Sequence, residues 1–325
     1  MQRFGNILFV SVPGEDDRGA LERAASLADS NQAELTLVEV VEQLPADLTV
    51  AEIDCSAEDL QTDLVDAAGE RLEALAAPWR GRVQIHHKVL VGTPFLETIR
   101  EVLRGGRDLV VKASESDGLL DRVFGSQDMH LLRKCPSPVW LVKTSEFKPY
   151  RRILAAVDMD QTDPRAADVQ IELSRQNVEM ASSLALSELS ELHLVNAWQA
   201  VGESALRTGR AMLPPSEVEK YVEGVRLGHQ RLLDVLSRHL AERLGDKAME
   251  YLKMRQHLIK GAARKVIPDL ATELGVDLVV MGTVGRTGIA GFLIGNTAET
   301  ILNRLSCSVL AVKPKGFVSP VGLEG

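Results

Sequence analysis

The spacing of apolar residues along the chain switches repeatedly between short continuous runs and three-and-four helical spacing, and each switch marks an element. In the first half the runs predict strands near 6–12, 33–41, 82–90, 108–113 and 138–143. Helices fall between them, near 16–30, 56–77, 93–105 and 125–134. Leu64, Ala68, Leu72 and Leu75 give the second helix its apolar face. The second half repeats the alternation, with strands near 152–158, 190–198, 249–257, 277–282 and 308–313. A long helix at about 215–243 carries Val218, Val222, Val225, Leu232, Leu236 and Leu240 at helical spacing. Strands that are apolar throughout and alternate with helices imply an α/β fold, a doubly wound parallel sheet covered on both faces. In such sheets the ligand crevice lies at the carboxyl ends of the strands, where strand order reverses.

The two halves are copies of one domain. Asn6–Val12 aligns with Arg152–Asp158 at an offset of 146, and AELTLV from Ala33 with SELHLV from Ser190 at 157. Gly92 and DLVV from Asp108 align with Gly261 and DLVV from Asp277 at 169, and VWLVK ending at Lys143 with VLAVK ending at Lys313 at 170. Landmarks in unchanged order mean a tandem repeat. The offsets place one domain at 1–144 and a longer one at 150–313. Thr144 to Tyr150 reads as a short linker, and the Gly- and Pro-rich 314–325 as a flexible tail.

One stretch of the second copy carries a candidate chemistry. The buried run Leu278–Met281 is followed by Gly282, Gly285, Gly288, Gly291 and Gly295, and then by a helical pattern from Asn296. Asn296 with Glu299 three residues on reads as a capping box. Strand, glycine loop and helix start together make an anion site, because unpaired N–H groups converge there.

Gly282, two residues, Gly285, nine residues and Gly295 resemble the G-x-x-G-x9-G-(S/T) phosphate loop of the universal stress protein family. The resemblance covers nearly the whole chain, twice, and departs at Asn296, where ATP-binding members carry Ser or Thr; Thr297 follows. It implies two tandem five-stranded doubly wound parallel-sheet domains of the adenine-nucleotide-hydrolase-like fold. Family members pair through their last strands, so the copies are expected to form an internal pseudo-dimer, with a homodimer as a further expectation. The implied ligand is ATP or a related adenine nucleotide, accompanied by Mg²⁺, or another phosphate-bearing small molecule. Carried over residue by residue, Ala156, Val157 and Asp158 follow the first strand, with Asp158 reaching the adenine. Val195 lies beside the base, Met281, Gly282, Val284 and Gly285 line ribose and phosphates, and Gly295, Asn296 and Thr297 donate N–H groups. Arg286, Arg207 and Arg210 stand where they could reach or cover the ligand, though each also suits a solvated loop. The first copy looks degenerate. It has Val12 in place of Asp158, Ala113 and Ser116 opposite the glycines, and added carboxylates at Glu115, Asp117 and Asp121, while Gly125–Ser126 survives.

Composition narrows the function classes. A net charge of −9 argues against nonspecific nucleic-acid binding. No apolar run reaches the roughly 18 residues that span a bilayer, and MQRFGNILFV lacks a signal-peptide layout. Cys55, Cys135 and Cys307 stand far apart and read as reduced thiols of a cytoplasmic protein. The seven histidines show no chelating spacing, no catalytic triad or paired-carboxylate motif can be picked out, and the loop lacks the G-K-(S/T) ending of a Walker motif. Trp79, Trp140 and Trp198 read as core or interface packing. The leading expectation is a non-enzymatic stress-response protein that binds nucleotide in its second domain and signals through an unknown protein partner. A slow nucleotide hydrolase and a nucleotide-free scaffold remain as alternatives.

Overall fold

The structure is a computed structural model and describes residues 4–47, 56–115, 124–143, 146–159, 164–208, 213–284 and 294–323. The chain divides into two compact units. One comprises residues 3–148 with 289–293 and 308–325; the other is built from residues 149–288 and 294–307.

In the first repeat, β1 (Asn6–Ser11), α1 (Arg18–Asn31), β2 (Glu34–Val41), α2 (Ala57–Ala76), β3 (Gln84–Val91), α3 (Pro94–Gly105), β4 (Leu109–Ala113), α4 (Ser126–Lys134) and β5 (Val139–Val142) follow the predicted alternation. Local chemistry sets several of these boundaries. Ser56 and Asp59 form a reciprocal capping box at the start of α2. Pro94 opens α3, and Gly106, at φ 58°, ends it in the left-handed region that glycine tolerates. Within this repeat the strand order is β3-β2-β1-β4-β5, all parallel. Ile7, Leu8, Phe9, Leu35, Leu37, Leu109 and Trp140 form its core.

The second repeat contributes β6 (Arg152–Ala156), α5 (Pro164–Glu188), β7 (Glu191–Trp198), α6 (Glu203–Thr208), α7 (Pro215–Leu244), α8 (Asp246–Leu252), β8 (Arg255–Lys260), α9 (Ala263–Leu274), β9 (Leu278–Gly282), α10 (Asn296–Leu302) and β10 (Ser308–Val312). β6 pairs in parallel with β7 on one side and β9 on the other, and β8 borders β7. The carboxyl end of β6 is therefore the point where strand order reverses. The strand expected at 249–257 lies instead at Arg255–Lys260, because α8 takes Asp246–Leu252 and buries Leu252.

The last strand behaves differently from the other nine. β10 belongs by sequence to the second repeat but to the first unit by contact, running antiparallel to β5 with Leu310 opposite Trp140 and Val309 opposite Leu141. The expected pairing of the two last strands is thus present as a ladder, and both strands are buried along their whole length. Each repeat thus contributes five strands by sequence, as expected, and by contact, among the described residues, β10 joins β1–β5 in the first unit. Residues 314–323, read from sequence as a flexible tail, hydrogen-bond to the first repeat. Ser319 Oγ donates to the Lys134 carbonyl at 2.8 Å, and Arg100 Nε donates to the Gly322 carbonyl at 3.3 Å.

Candidate functional site

A cavity of about 660 Å³ opens at the carboxyl end of β6, within the second unit. Its floor is the end of β6 and the residues after it, Ala156, Val157 and Asp158. Three side chains fix that turn. Ser174 Oγ, on α5, accepts from the Asp158 N–H and donates to the Asp158 carbonyl, both at 3.0 Å. Asn177, one turn further along α5, donates from Nδ2 to the Ala156 carbonyl at 3.0 Å. Asn196 of β7 donates from Nδ2 to the Val157 carbonyl at 3.0 Å. These bonds satisfy backbone groups where the strand ends and leave the turn rigid.

The two ends of the cavity differ in chemistry. Toward β7 it is aromatic, with Trp198 tilted against His229 at a centroid distance of 6.2 Å. His229 comes from α7, in the segment by which the second repeat exceeds the first, and its Nδ1 lies 2.8 Å from Asn196 Oδ1. Since Asn196 Nδ2 is committed to Val157, its Oδ1 accepts and His229 Nδ1 carries the proton. Tyr221 ties the same helix down by donating to the Val201 carbonyl at 2.7 Å. Arg207 turns toward Glu203 of its own helix at 3.2 Å, and Lys260 holds the same carboxylate at 2.7 Å. These contacts keep the Glu203 carboxyl below the usual carboxylate range, with the Lys260 hydrogen bond as the largest cause.

Toward β9 the cavity is lined by backbone and small side chains: Met281, Gly282, Val284, Gly295, Asn296, Thr297 and Ala298. The ends of the glycine loop are clamped, with Val284 and Ile294 forming an antiparallel bridge and the Gly295 N–H donating to the Thr283 carbonyl at 3.0 Å. Gly295 is the cap residue of α10 and no side chain caps it. Asn296 is therefore the first helical residue and does not form with Glu299 the capping box that the sequence spacing suggests. The shift leaves the first-turn N–H groups without intrahelical acceptors at the cavity edge. A third wall is the start of α9, where Ala262, Ala263 and the exposed Arg264 face the opening.

Nine of the eleven residues singled out from sequence line this cavity: Ala156, Val157, Asp158, Met281, Gly282, Val284, Gly295, Asn296 and Thr297. Val195 does not. It is fully buried within β7, which runs three residues beyond it to Trp198, so Ala197 and Trp198 provide that wall. Gly285, Arg286 and Arg210 lie outside the described residues. Sequence reasoning missed Asn177, Ser174, His229 and Arg264, and it assigned Trp198 to packing. Only the Gly92–Gly261 repeat landmark pointed toward the α9 wall. Gly282 also has a packing role, because a Cβ there would meet Leu173 Cδ2 at 2.5 Å.

At the corresponding place, 169–170 residues earlier, the first repeat is filled by its own charges. Lys112, Glu115 and Asp128 stand where the second repeat has Met281, Val284 and Ala298. Lys112 Nζ donates to Asp128 Oδ1 at 2.6 Å and to Glu115 Oε1 at 2.9 Å, and the Glu115 N–H donates to Asp128 Oδ2 at 2.9 Å. A Cβ on Gly125 would meet Glu115 Oε2 at 2.1 Å, so the surviving Gly125–Ser126 helix start is covered by an internal carboxylate. Ser116, Asp117 and Asp121 lie outside the described residues. Among the described residues no group of three or more His, Cys, Asp or Glu could hold a metal ion, and no helix is long and apolar enough to cross a membrane.

Comparison with known proteins agrees with this architecture. The universal stress protein family profile matches residues 3–143 and again 149–313. Universal stress protein E of Escherichia coli K12 is 31% identical, the match covering 100% of this chain and 98% of that one. The Universal stress protein E homolog of Haemophilus influenzae is 29% identical over 96% of this chain and 98% of its own. Among solved structures, a protein of unknown function from Pseudomonas aeruginosa superposes with a TM-score of 0.65 at 25% identity, covering 97% of this chain and 94% of that one. A universal stress protein from Archaeoglobus fulgidus shares the fold with a TM-score of 0.60 at 16% identity, covering 95% and 98%. Two matched copies in one chain, with full-length relatives of the same tandem length, establish that this chain belongs to the universal stress protein family.

Proposed function

We propose that this chain is a cytoplasmic stress-response protein whose second repeat binds ATP or a related adenine nucleotide, with Mg²⁺ accompanying the phosphates, and which acts by binding rather than turnover. The observation that carries this reading is the two-ended cavity at the β6 switch point. It combines an aromatic end at Trp198 and His229 with a backbone-lined end at Gly282 and Gly295–Thr297. Its volume, about 660 Å³, falls within the range of roughly 300–1,000 Å³ common for small-molecule sites. A base fits the first end, and phosphates fit the N–H groups of the second. The first repeat, with Glu115 over Gly125, offers phosphate a carboxylate in place of donors.

Calorimetry with ATP and Mg²⁺ tests the proposal directly, and one nucleotide per chain is the expected stoichiometry. Asp158→Ala should weaken binding about tenfold or more, while Gly125→Ala should leave it unchanged. Two nucleotides per chain, or equal loss from both variants, would overturn the assignment. Phosphate release should stay near background; turnover of about 1 per second or more would move the protein among ordinary enzymes.

A further inference from the structure

α5 has 25 residues where its counterpart α1 has 14, and the extra length borders the cavity. The two helices end at equivalent positions, Asn31 and Glu188, at the offset of 157 that also relates the strands after them. On that offset Arg18, which opens α1, corresponds to Arg175, so residues 164–174 are an extension peculiar to the second repeat. The extension brings Gln170, Leu173 and Ser174 to the cavity wall. Leu173 packs at Gly282, and Ser174 closes the Asp158 turn. Gln170 does neither. It is 6% exposed and makes no hydrogen bond among the described residues. Asn177 Oδ1 is sealed off by its surroundings, whereas both amide atoms of Gln170 keep accessible surface. A largely buried amide without a partner is costly, and native sites keep one where a ligand completes it. From these observations we infer that Gln170 is a specificity-determining residue whose Nε2 donates a hydrogen bond to a phosphate oxygen of the bound nucleotide.

The run of α5 places Gln170 at the phosphate end. Asn177 holds Ala156, while Ser174, earlier in the helix, holds Asp158, later in the chain, so α5 runs antiparallel to β6. One further turn back, about 5.4 Å along the axis, carries Gln170 past Asp158 and beyond the ends of the strands. Leu173, on the same face of the helix, abuts Gly282 at the end of β9. This stripe of α5 therefore lies on the β9 side of β6, and Trp198 lies on the opposite side, on β7. Beyond the end of β9 stand Val284, Gly295, Asn296 and Thr297, the wall that the nucleotide reading gives to phosphate. Ionised phosphate oxygens accept and do not donate, so the amide turns Nε2 to them.

This inference rests on the nucleotide reading above, and the test separates the two. The affinity of the full chain for ATP with Mg²⁺ is measured for wild type, Gln170→Met and Gln170→Lys. Methionine keeps the length and removes the donor, and a loss of roughly 10- to 100-fold is expected, the range of one hydrogen bond to a charged group. Lysine restores a donor and should bind ATP within about threefold of wild type, or more tightly. In wild type, the Gln170 side-chain amide signal in nitrogen-edited NMR should move further with ATP than with adenosine, a result that does not depend on a variant folding. An amide signal that ATP leaves in place, unchanged binding in Gln170→Met, or equal loss in both variants overturns the role of Gln170 and leaves the nucleotide site standing. Failure of wild type to bind ATP overturns the nucleotide reading itself and the inference with it.

Discussion

Lys112 Nζ lies 2.6 Å from Asp128 Oδ1 inside the first repeat, and the second repeat has Met281 and Ala298 at these two places. Asp128 is fully buried, and burial pushes its carboxyl above the usual range against the pull of Lys112. The pair thus occupies with opposite charges the two places that Met281 and Ala298 take with neutral side chains in the second copy. Removing one partner strands a buried charge, which typically costs about 3–5 kcal/mol, whereas replacing the whole group with apolar residues is often neutral or better. Lys112→Met alone should therefore lower stability by about that amount. The triple change Lys112→Met, Glu115→Val, Asp128→Ala, which copies the second repeat, should recover most of the loss. Urea titration of both variants checks it, and a triple variant no more stable than the single one would refute the account.

Gly282 answers to packing before it answers to a ligand. A methyl group at this position would stand 2.5 Å from Leu173 Cδ2, so Gly282→Ala forces a buried side chain aside. Without nucleotide the variant should lose about 1–3 kcal/mol. Adding Leu173→Ala should cost less in the Gly282→Ala background than in wild type, because the two share one volume. Strict additivity in a double-mutant cycle would remove Leu173 as the reason for this glycine.

How much of this is legible in the sequence depends on how local the determining physics is. The strands can be read because they are apolar on both sides, and the repeat because DLVV occurs at both Asp108 and Asp277. Glycines announce the β9 side of the cavity, and at Gly282 the close approach of Leu173 selects for one. Nothing local announces Asn177 or His229. A polar residue on an amphipathic helix is ordinary, and only the tertiary fold brings these two to the end of β6. The cap of α10 is misread by one residue for the opposite reason: Asn296 is a strong N-cap former, but the bond from the Gly295 N–H to the Thr283 carbonyl pulls the helix start onto the glycine. Val195 is misread because β7 extends to Trp198.

Lys313 gives the molecule a pH signature. Its ammonium is buried, donates to the Leu132 carbonyl at 2.6 Å and lies 5.0 Å from the Phe317 ring centroid. Burial lowers its pKa from 10.5 to about 8, while the buried Cys135 thiol is pushed up from 9.0 to about 12. A depressed folded pKa means that the folded state binds fewer protons between pH 8 and 10.5, so stability rises with pH there. Below pH 8 the penalty is present in full, roughly 3 kcal/mol for a shift of this size. The Cys135 thiol begins to ionise in the unfolded state as pH approaches 9.0 and opposes the trend there, but it is present in variant and wild type alike, so the difference between them reads Lys313. Lys313→Met should therefore differ from wild type by a constant amount from about pH 6 to 7.5. From about pH 8 to 9 wild type should gain on the variant by up to about 1 kcal/mol. Parallel stability profiles over that interval would show that the ammonium is hydrated in solution.

The exchange of β10 makes the two repeats interdependent in a way that a cut chain would reveal. β5 would otherwise present an edge of unpaired groups on the fully apolar run Val139–Val142, which invites aggregation. β10 covers that edge, with Ala311 opposite Val139 and the Lys143 N–H donating to Ser308 Oγ at 3.1 Å. The residues after it continue the attachment through Ser319 to the Lys134 carbonyl. A protease site placed at Glu146–Lys148 would separate the covalent repeats but leave β10, carried by the carboxyl-terminal fragment, built into the first unit. The fragments should co-elute after cleavage and part only under denaturant. Deleting residues 308–325 from the intact chain should expose β5, and aggregation in light scattering is the expected result. Fragments that separate freely in native buffer, together with a soluble, monomeric deletion variant, would show that the β5–β10 ladder does not hold the first unit's edge.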